Sequence, residues 1–444
     1  MEKLNRRSFI QKAGITSVGT GLALSSFPAI LKSNPLQTSK LQMAIIGVNS
    51  RGSALARGFT KTPDAEVAFI CDVDDAAMAK GIKAVEEAGQ QKKPKGIKDF
   101  RTILEDDAVD AVAIATPDHW HAPAAIMALK AGKHVYVEKP GSHNPHEAEM
   151  VTAAMKKYGK PVQMGNQRRS WPYVVEGIQQ VHDGIIGKAY YARAWYANTR
   201  GSIGHGKQVP VPAGLDYELW QGPAPRKPYQ DNLIHYNWHW FWNWGTGEIL
   251  NNGTHFIDLC RWGLQVDYPT EVSSLGGRYA YNDDWQTPDT QLTSYNFADG
   301  KSIHWEGRSC NGQHIEGISA GVSFHGEEGT VVIAHNGYLH YDNKGNLIKK
   351  VDGETSQALD TTGPGFDLDA DHIRNFTNSV FHGEELHSNY AETCKSVVLC
   401  HLGNMAHRTG ETIKCNPATG KPINGSDAIK LWSREYEVGW KPEV

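Results

Sequence analysis

The sequence predicts an α/β chain: a doubly wound parallel sheet first, then a second α/β domain on a large, mostly antiparallel, open sheet. Three observations predict it. The stretch MAIIGVNSRG (Met43 to Gly52) reads as a buried strand running into a glycine turn and a helix. Between Leu41 and Gly159, short apolar runs alternate with segments of helical spacing, the texture of parallel strands covered on both faces. After Gly165 the runs alternate apolar with polar residues, as in a half-buried antiparallel sheet.

The elements follow in order. Residues 1–36 read as an export leader. Arg6 and Arg7 precede AGITSVGTGLALSSFPAI, too rich in glycine and serine for a stable span. With Phe9 two residues on, the arginine pair resembles a twin-arginine signal; the alternative is an ordinary secretory leader. The expectation is an exported, periplasmic protein with no membrane span once the leader is removed. The first domain is assigned to 37–164, with MAIIGV, VAFICDV, AVAIATP, HVYVEKP and PVQMGN as its strands and Ala122 to Gly132 as one of its helices, Gly132 being a fitting stop. The second domain, 165–444, takes its strands from AYYARAWYA, EVSSLGGRYAY, TQLTSYNF, KSIHWEGR, ISAGVSFHG and TVVIAH. A helix near Ile249 to Leu264 interrupts them, and helices from about Asp367 and Ala391 close the chain. The Gly- and Pro-rich segment from Arg200 to Gln230 reads as a long loop over the cleft.

Composition bounds the function. At 444 residues the chain has room for two domains. A net charge of −4 gives no footprint for nucleic acid or an anionic membrane. The six cysteines are scattered without a C-x-x-C pair, which argues against a disulfide framework or a thiolate zinc site.

The first turn carries the layout of a dinucleotide site. Gly47 ends its strand, Arg51 and Gly52 enter a helix, and a second apolar run, VAFICD, ends in Asp72. Glycine lets backbone approach a pyrophosphate, the helix N-terminus offers N–H donors, and the acid takes ribose hydroxyls. Gly47, Asn49, Ser50, Arg51, Gly52 and Asp72 are therefore candidate cofactor contacts. Asn49 stands where a middle glycine is usual and tolerates left-handed φ. A carboxylate at Asp72 predicts NAD in preference to NADP, because it repels a 2′-phosphate.

Ligands in such sheets bind beyond the carboxyl ends of the strands, and three ends here are chemically rich. One continues through Thr116, Pro117, Asp118, His119, Trp120 and His121; one through Glu138, Lys139 and Pro140; one through Asn166, Gln167, Arg168 and Arg169. Thr116, Pro117, His121, Glu138 and Asn166 are candidate cofactor neighbours. Lys139 is the candidate acid–base residue. Sheltered between domains, a lysine loses solvation and titrates nearer neutrality. It can then exchange a hydroxyl proton while the neighbouring carbon gives up hydride. The bland alternative is a surface lysine paired with Glu138, which is itself expected to face the other way.

In EILNNGTHFID, Asn251 and His255 fall four apart on one helical face, with Asp258 three further on. His255 is the candidate second acid–base group; a helical histidine with a structural bond is the alternative. HYNWHWFWNWG offers Tyr236 and His239 among tryptophans, a setting suited to stacking a carbohydrate ring, although core packing accounts for part of it. Arg168, Tyr236, His239, Asn251 and His255 are the candidate substrate contacts. His235 and His239 have zinc-like spacing without a metalloprotease glutamate, and no metal is expected.

With Gly47, Asn49, Arg51 and Gly52, ATP at Ala115 to Pro117, EKP at Glu138 to Pro140, and Gly253-Thr254-His255, the chain resembles the glucose–fructose oxidoreductase/inositol dehydrogenase (Gfo/Idh/MocA) family. FHGEEGTVVI and the closing LCHLGNMAHRTGETI add to the likeness. The resemblance implies a Rossmann domain, a second domain whose open sheet forms homodimers or tetramers, and NAD(P)-dependent oxidation or reduction of sugars, inositols or glycosides. It implies a catalytic role for Lys139 and maps the motif D-x-x-x-H onto His255, with Asn251 replacing its aspartate. An amide accepts no proton and stabilises no partner by charge. Exported members of the family hold their cofactor tightly. Two alternatives follow: an NAD-dependent glycosidase or lyase working by transient sugar oxidation, and a non-catalytic sugar or cofactor binder.

Overall fold

The computed structural model describes residues 40–334, 337–353 and 369–444; the leader assigned to 1–36 and the helix start expected at Asp367 lie outside the described residues. In the first half, β1 (Leu41–Ile46), α1 (Arg51–Lys61), β2 (Ala65–Cys71), α2 (Asp75–Glu87), β3 (Lys95–Ile97), α3 (Arg101–Leu104), β4 (Ala111–Ile114), α4 (Asp118–Lys130), β5 (His134–Val137), α5 (Pro145–Tyr158) and β6 (Val162–Met164) follow one another. The strands pair in parallel in the order β3-β2-β1-β4-β5-β6. The order reverses between β1 and β4, which opens a crevice at their carboxyl ends.

Strands β4 and β6 are buried along their whole length and β1 nearly so; the polar residue inside β6, Gln163, is accommodated by donating its Nε2 to His372 O at 2.7 Å. The sixth strand, β3, escapes the sequence reading because Lys-Gly-Ile has no pattern; its backbone pairing to β2 alone makes it a strand. Helix α4 begins at Asp118, a turn before the expected Ala122. Pro117 sits at its N-cap and Asp118 in its first turn, where a carboxylate meets the positive end of the helix dipole. Asn144 caps α5 through Glu147 N–H, Pro145 opens it, and Gly159 ends it at φ 66°.

The chain then runs through a 3₁₀ turn (Gln167–Ser170), α6 (Pro172–His182), β7 (Ala189–Ala197), α7 (Tyr217–Gln221), a second 3₁₀ turn (Asn237–Trp240), α8 (Glu248–Asn251) and α9 (Gly253–Leu264). It continues with β8 (Glu271–Gly277), β9 (Thr290–Asn296), β10 (Ser302–Arg308), β11 (Ala320–Gly326), β12 (Gly329–Ala334), β13 (Gly337–Asp342), β14 (Leu347–Asp352), α10 (Asp369–His382), α11 (Tyr390–Thr409), β15 (Ile413–Lys414) and α12 (Ser426–Lys430). The sheet order is β14-β13-β12-β11-β7-β10-β9-β8-β15, antiparallel except where β10 lies parallel to β7.

One face of this sheet, with Ala192, Val272, Tyr295, Ile303 and Phe324, is buried, and α9 and α11 pack on the sheet. On the opposite face Leu275 and Leu292 sit side by side in the β8–β9 ladder, 75% and 52% exposed. Helix α11 also packs on α5 and β6, so both sheets belong to one compact unit, Lys40–Val444.

Two expected elements differ. The helix expected over 249–264 breaks at Asn252 (φ −110°), so Asn251 closes α8 and His255 lies in the first turn of α9. The segment Arg200 to Gln230 carries α7, and its Leu215 bridges Asp74, the N-cap of α2. All six cysteines are free. Among the described residues no helix is long and apolar enough to cross a membrane.

Candidate active site

A cavity of about 820 Å³ opens beyond the carboxyl ends of β1, β2, β4 and β5. Its far wall comes from the end of β7, α8, α9 and the aromatic turn around Tyr236 to His239. Of the residues singled out from the sequence, Gly47, Asn49, Ser50, Arg51, Asp72, Thr116, Pro117, His121, Glu138, Lys139, Arg168, Tyr236, His239, Asn251 and His255 all line it.

The turn after β1 needs glycine. Gly47 has φ 81°, and a Cβ there would meet Thr116 N and the Ala115 backbone at 2.7–2.8 Å. A Cβ on Gly52, which lies behind the lining, would meet Gly47 O at 1.8 Å; this glycine lets α1 start against the turn. Asn49 does not use left-handed φ: the non-glycine residues with positive φ among those described are Gln265 and Glu316. Its carbonyl accepts from Lys80 Nζ instead. Exposed Ser50 is the N-cap of α1 and makes no side-chain capping bond.

Asp72 is aimed by backbone. Its Oδ2 accepts from Val48 N at 2.7 Å and its Oδ1 from Asp74 N at 3.0 Å. Burial pushes its pKa up, and those two N–H groups pull it down. Each oxygen keeps a second lone pair for a ligand hydroxyl. With the glycine cradle and the buried, unpartnered Thr116 Oγ1 deeper in, these residues fit a dinucleotide.

Arg51 lines the cavity and is also tied into the structure. Its guanidinium is held by Glu138 at 2.8 Å and Asp369 at 2.5 Å, so it braces α1 against β5 and α10. Glu138 also takes Gln167 Nε2 at 2.9 Å and Tyr136 OH at 3.4 Å while lining the cavity. Asn166 is buried with neither amide atom bonded, and it does not reach the cavity. The 3₁₀ turn after it presents Gln167 and Arg168 there instead.

At the centre, Lys139 Nζ donates to Asn251 O at 2.7 Å and Asn251 Oδ1 at 2.9 Å. Burial lowers its pKa from the ordinary lysine value. Asp118, on the same wall, accepts from Thr246 Oγ1 at 2.5 Å, and burial pushes its pKa up to about 6. His121 accepts from Gly141 N–H at Nδ1 (3.3 Å) and faces Thr116 O with Nε2 (2.8 Å). Burial lowers its pKa to about 3, so it is neutral.

On the far wall the Arg168 guanidinium lies between the rings of Trp171 (4.5 Å) and Phe256 (4.6 Å). Burial brings its pKa down to about 10, and the two aromatic faces give it cation–π partners. His255 is buried, with Nδ1 unbonded. Burial first, then the charges of Arg168 and Lys139, hold it neutral. His239 stacks on Trp238 at 3.6 Å, and its Nδ1 meets Tyr236 O at 2.6 Å. Tyr236 OH accepts from Arg200 at 2.8 Å.

Several groups of the site were missed or displaced in the sequence reading. Glu248 organises the far wall, accepting from Arg200 (2.9 Å), Ser309 (2.9 Å) and Asn251 Nδ2 (3.2 Å). Its place just before Asn251 was the available signal. Asp258 leaves the site and pairs with Arg169 at 2.7 Å in the interior. His119 bonds the carbonyls of Trp220 and Trp244. His235 pairs with Asp74 at 2.8 Å, and no metal-holding cluster occurs among the described residues.

Comparison with known proteins agrees with this layout. A family model described as an oxidoreductase family with an NAD-binding Rossmann fold (GFO_IDH_MocA) matches residues 41–166, and its C-terminal alpha/beta domain matches 186–442. A "Glycosyl hydrolase family 109 protein 2" of Shewanella sp. (strain ANA-3) is 34% identical over 300 residues, 63% of this chain and 61% of the relative. A "Glycosyl hydrolase family 109 protein" of Saccharopolyspora erythraea is 32% identical over 190 residues, 37% of this chain and 41% of the relative. The chain thus spans 41–61% of these two curated relatives. Among solved structures, an Agrobacterium radiobacter oxidoreductase in complex with NAD+, L-tartaric acid and magnesium superposes with TM-score 0.63 at 16% identity, covering 85% of this chain and 98% of that one. The aldose-aldose oxidoreductase of Caulobacter crescentus, complexed with glycerol, gives 0.63 at 18%, covering 84% and 99%. At these identities the likeness is one of fold.

Proposed function

The chain belongs to the Gfo/Idh/MocA oxidoreductase family, and from that membership we propose that it oxidises or reduces a hydroxyl-bearing carbon of a sugar, inositol or glycoside. Its cofactor is NAD. Gly47, Ser50, Asp72, Thr116, Pro117 and His121 are the residues that would hold it, and Asp72 favours NAD over NADP. The nicotinamide ring, when bound, supplies the hydride acceptor or donor.

The protein's own part is binding and proton handling. Tyr236, His239, Trp238 and Arg168 offer ring faces and donors to a carbohydrate. Neutral His255 serves as hydrogen-bond partner and second proton carrier. Lys139 takes the hydroxyl proton on oxidation and returns it on reduction. The observation that carries the proposal is the placement of Lys139 Nζ, partly desolvated, in the cavity wall between the dinucleotide turn and the aromatic turn.

The name of the curated relatives favours a second reading, cleavage of a glycosidic bond. Transient oxidation of one sugar carbon acidifies the neighbouring C–H. The glycosidic oxygen then leaves with a proton, water adds to the alkene, and the carbon is reduced back with no net redox change. Purified protein assayed without added NAD on nitrophenyl glycosides in deuterated water separates the two. Accumulation of a keto-sugar with reduced nicotinamide supports the dehydrogenase; nitrophenol release with deuterium in the sugar supports the glycosidase.

Export through the Arg6-Arg7 leader belongs to the same proposal, as does assembly of like chains through the sheet face carrying Leu275 and Leu292.

A further inference from the structure

We propose that the substrate carries a carboxylate and that Arg168 receives it, which narrows the substrate class to sugars of the uronic-acid type and their glycosides. The inference rests on reading the cavity as the site of a sugar oxidoreductase. The lysines and arginines that line the cavity are Arg51, Lys98, Lys139, Arg168 and Arg200. Protein carboxylates match three of them: Glu138 and Asp369 hold Arg51, Glu248 holds Arg200 at 2.9 Å, and Asp75 holds Lys98 at 3.0 Å. Lys139 bonds Asn251 and is assigned to the reacting hydroxyl. Arg168 is the one left over. Among the described residues its guanidinium makes neither an ion pair nor a hydrogen bond, and its Nε–H is buried without an acceptor.

The neighbouring arginine sets the contrast. Arg169, on the same 3₁₀ turn and as deeply buried, gives two hydrogen bonds to Asp258 at 2.7 and 2.9 Å. Arg168 instead lies 4.5 and 4.6 Å from the ring centroids of Trp171 and Phe256. Aromatic faces attract the charge but offer no lone pair to its N–H groups. A guanidinium 8% exposed thus lacks both acceptors and a counter-charge, and burial makes both costly. A ligand carboxylate supplies them together, because its two oxygens match the fork of parallel N–H groups. With Nε–H buried, the terminal Nη groups are the ones open to that ligand.

The carboxylates that line the cavity are engaged elsewhere: Asp72 with backbone N–H groups, Asp118 with Thr246 and Glu138 with Arg51. The anion is therefore left for the substrate to bring. One unmatched guanidinium suits a single negative charge, whereas a phosphate monoester would bring nearly two. His255 and His239 line the same cavity but are held neutral by burial, so they add no second positive charge. A uronic acid fits these terms. Its carboxylate takes the place of the primary alcohol, so its ring keeps the secondary hydroxyls on which Lys139 acts.

The test is equilibrium binding to the NAD-loaded protein, read by tryptophan fluorescence, with matched probes. These are D-glucuronate against D-glucose, D-galacturonate against D-galactose, D-mannuronate against D-mannose, and D-galactose 6-sulfate as a second monoanion. In at least one pair the acid should bind at least about tenfold more tightly than the neutral sugar. Arg168→Gln should abolish that preference, and Arg168→Lys, which keeps the charge and loses the fork, should retain only part of it. Neither variant strands a protein carboxylate, so both should melt near the wild-type temperature; if Arg168→Gln does not fold, Arg168→Lys decides alone. Equal or tighter binding of the neutral sugar in every pair would overturn the inference, as would no binding of any acid. So would a preference unchanged in the variants, or tighter binding of the sulfate than of every uronate. Turnover is followed separately. Acids that bind through Arg168 without turnover would strike the redox reading and leave the substrate class, whereas turnover of neutral sugars with no preference for acids would do the reverse.

Discussion

Asp72 and Asp118 show how one cavity sets two carboxylates to different tasks. Asp72 is held by two backbone N–H groups in the cavity lining, and a carboxylate there would accept from ribose hydroxyls and repel a 2′-phosphate. Asp72→Ser should therefore narrow the preference for NAD over NADP at least about tenfold, read as the ratio of dissociation constants by fluorescence titration. Asp118 is penalised by burial, with a folded pKa of about 6 above an ordinary value of about 3.9. Between those values the folded state binds more protons than the unfolded one, so stability falls as pH rises through that window. Relative to Asp118→Asn, the wild type should gain stability as pH is lowered from about 7 to about 4, measured by urea unfolding. A difference that is flat or of opposite slope would deny that Asp118 is a buried acid beside the lysine.

The elements carry these groups through a few close approaches and one buried ion pair. Gly47→Ala would force a side chain to within 2.8 Å of backbone at a φ of 81°. It should cost about 1–3 kcal/mol in denaturant unfolding and weaken NAD binding with it. Arg169 on the first 3₁₀ turn and Asp258 on α9 form a two-bond pair at 2.7 and 2.9 Å, and Arg169 depresses the pKa of the carboxylate against the cost of burial. Asp258→Ala leaves the guanidinium buried and unpaired and should cost about 3–5 kcal/mol at neutral pH. That deficit should shrink only as the pH falls below the ordinary carboxylate range, where the wild type loses the same charge.

Much of this framework was legible in the sequence. Short apolar runs, several of them nearly continuous in Val, Ile and Ala, gave away β1, β2, β4, β5 and β6, and a lysine at a strand end marked the site. What stayed hidden depends on partners distant in the chain. The residues of β3 have no periodicity of their own, Arg51 is paired with Asp369 more than three hundred residues away, and Asn166, just before the 3₁₀ turn, lies buried outside the cavity lining. The break at Asn252 was equally unreadable, because Ile249 to Leu264 has helical spacing on both sides of it.

At the scale of the molecule, a nine-stranded sheet covered on one face leaves Leu275 and Leu292 adjacent and uncovered on the other. If like chains meet there, Leu275→Asp with Leu292→Asp should lower the mass measured by light scattering to that of one chain while leaving the melting temperature of the subunit core nearly unchanged. An unchanged mass would remove this face from the assembly. The two sheets together build one cavity, lined by the dinucleotide turn on one side, the aromatic turn on the other, and Lys139. The most direct test is Lys139→Ala, purified with its NAD and mixed with the substrate on which the wild type turns over. Wild-type NAD content with a rate lower by at least about a hundredfold is the predicted result. A rate near that of the wild type, with NAD content unchanged, would contradict the account.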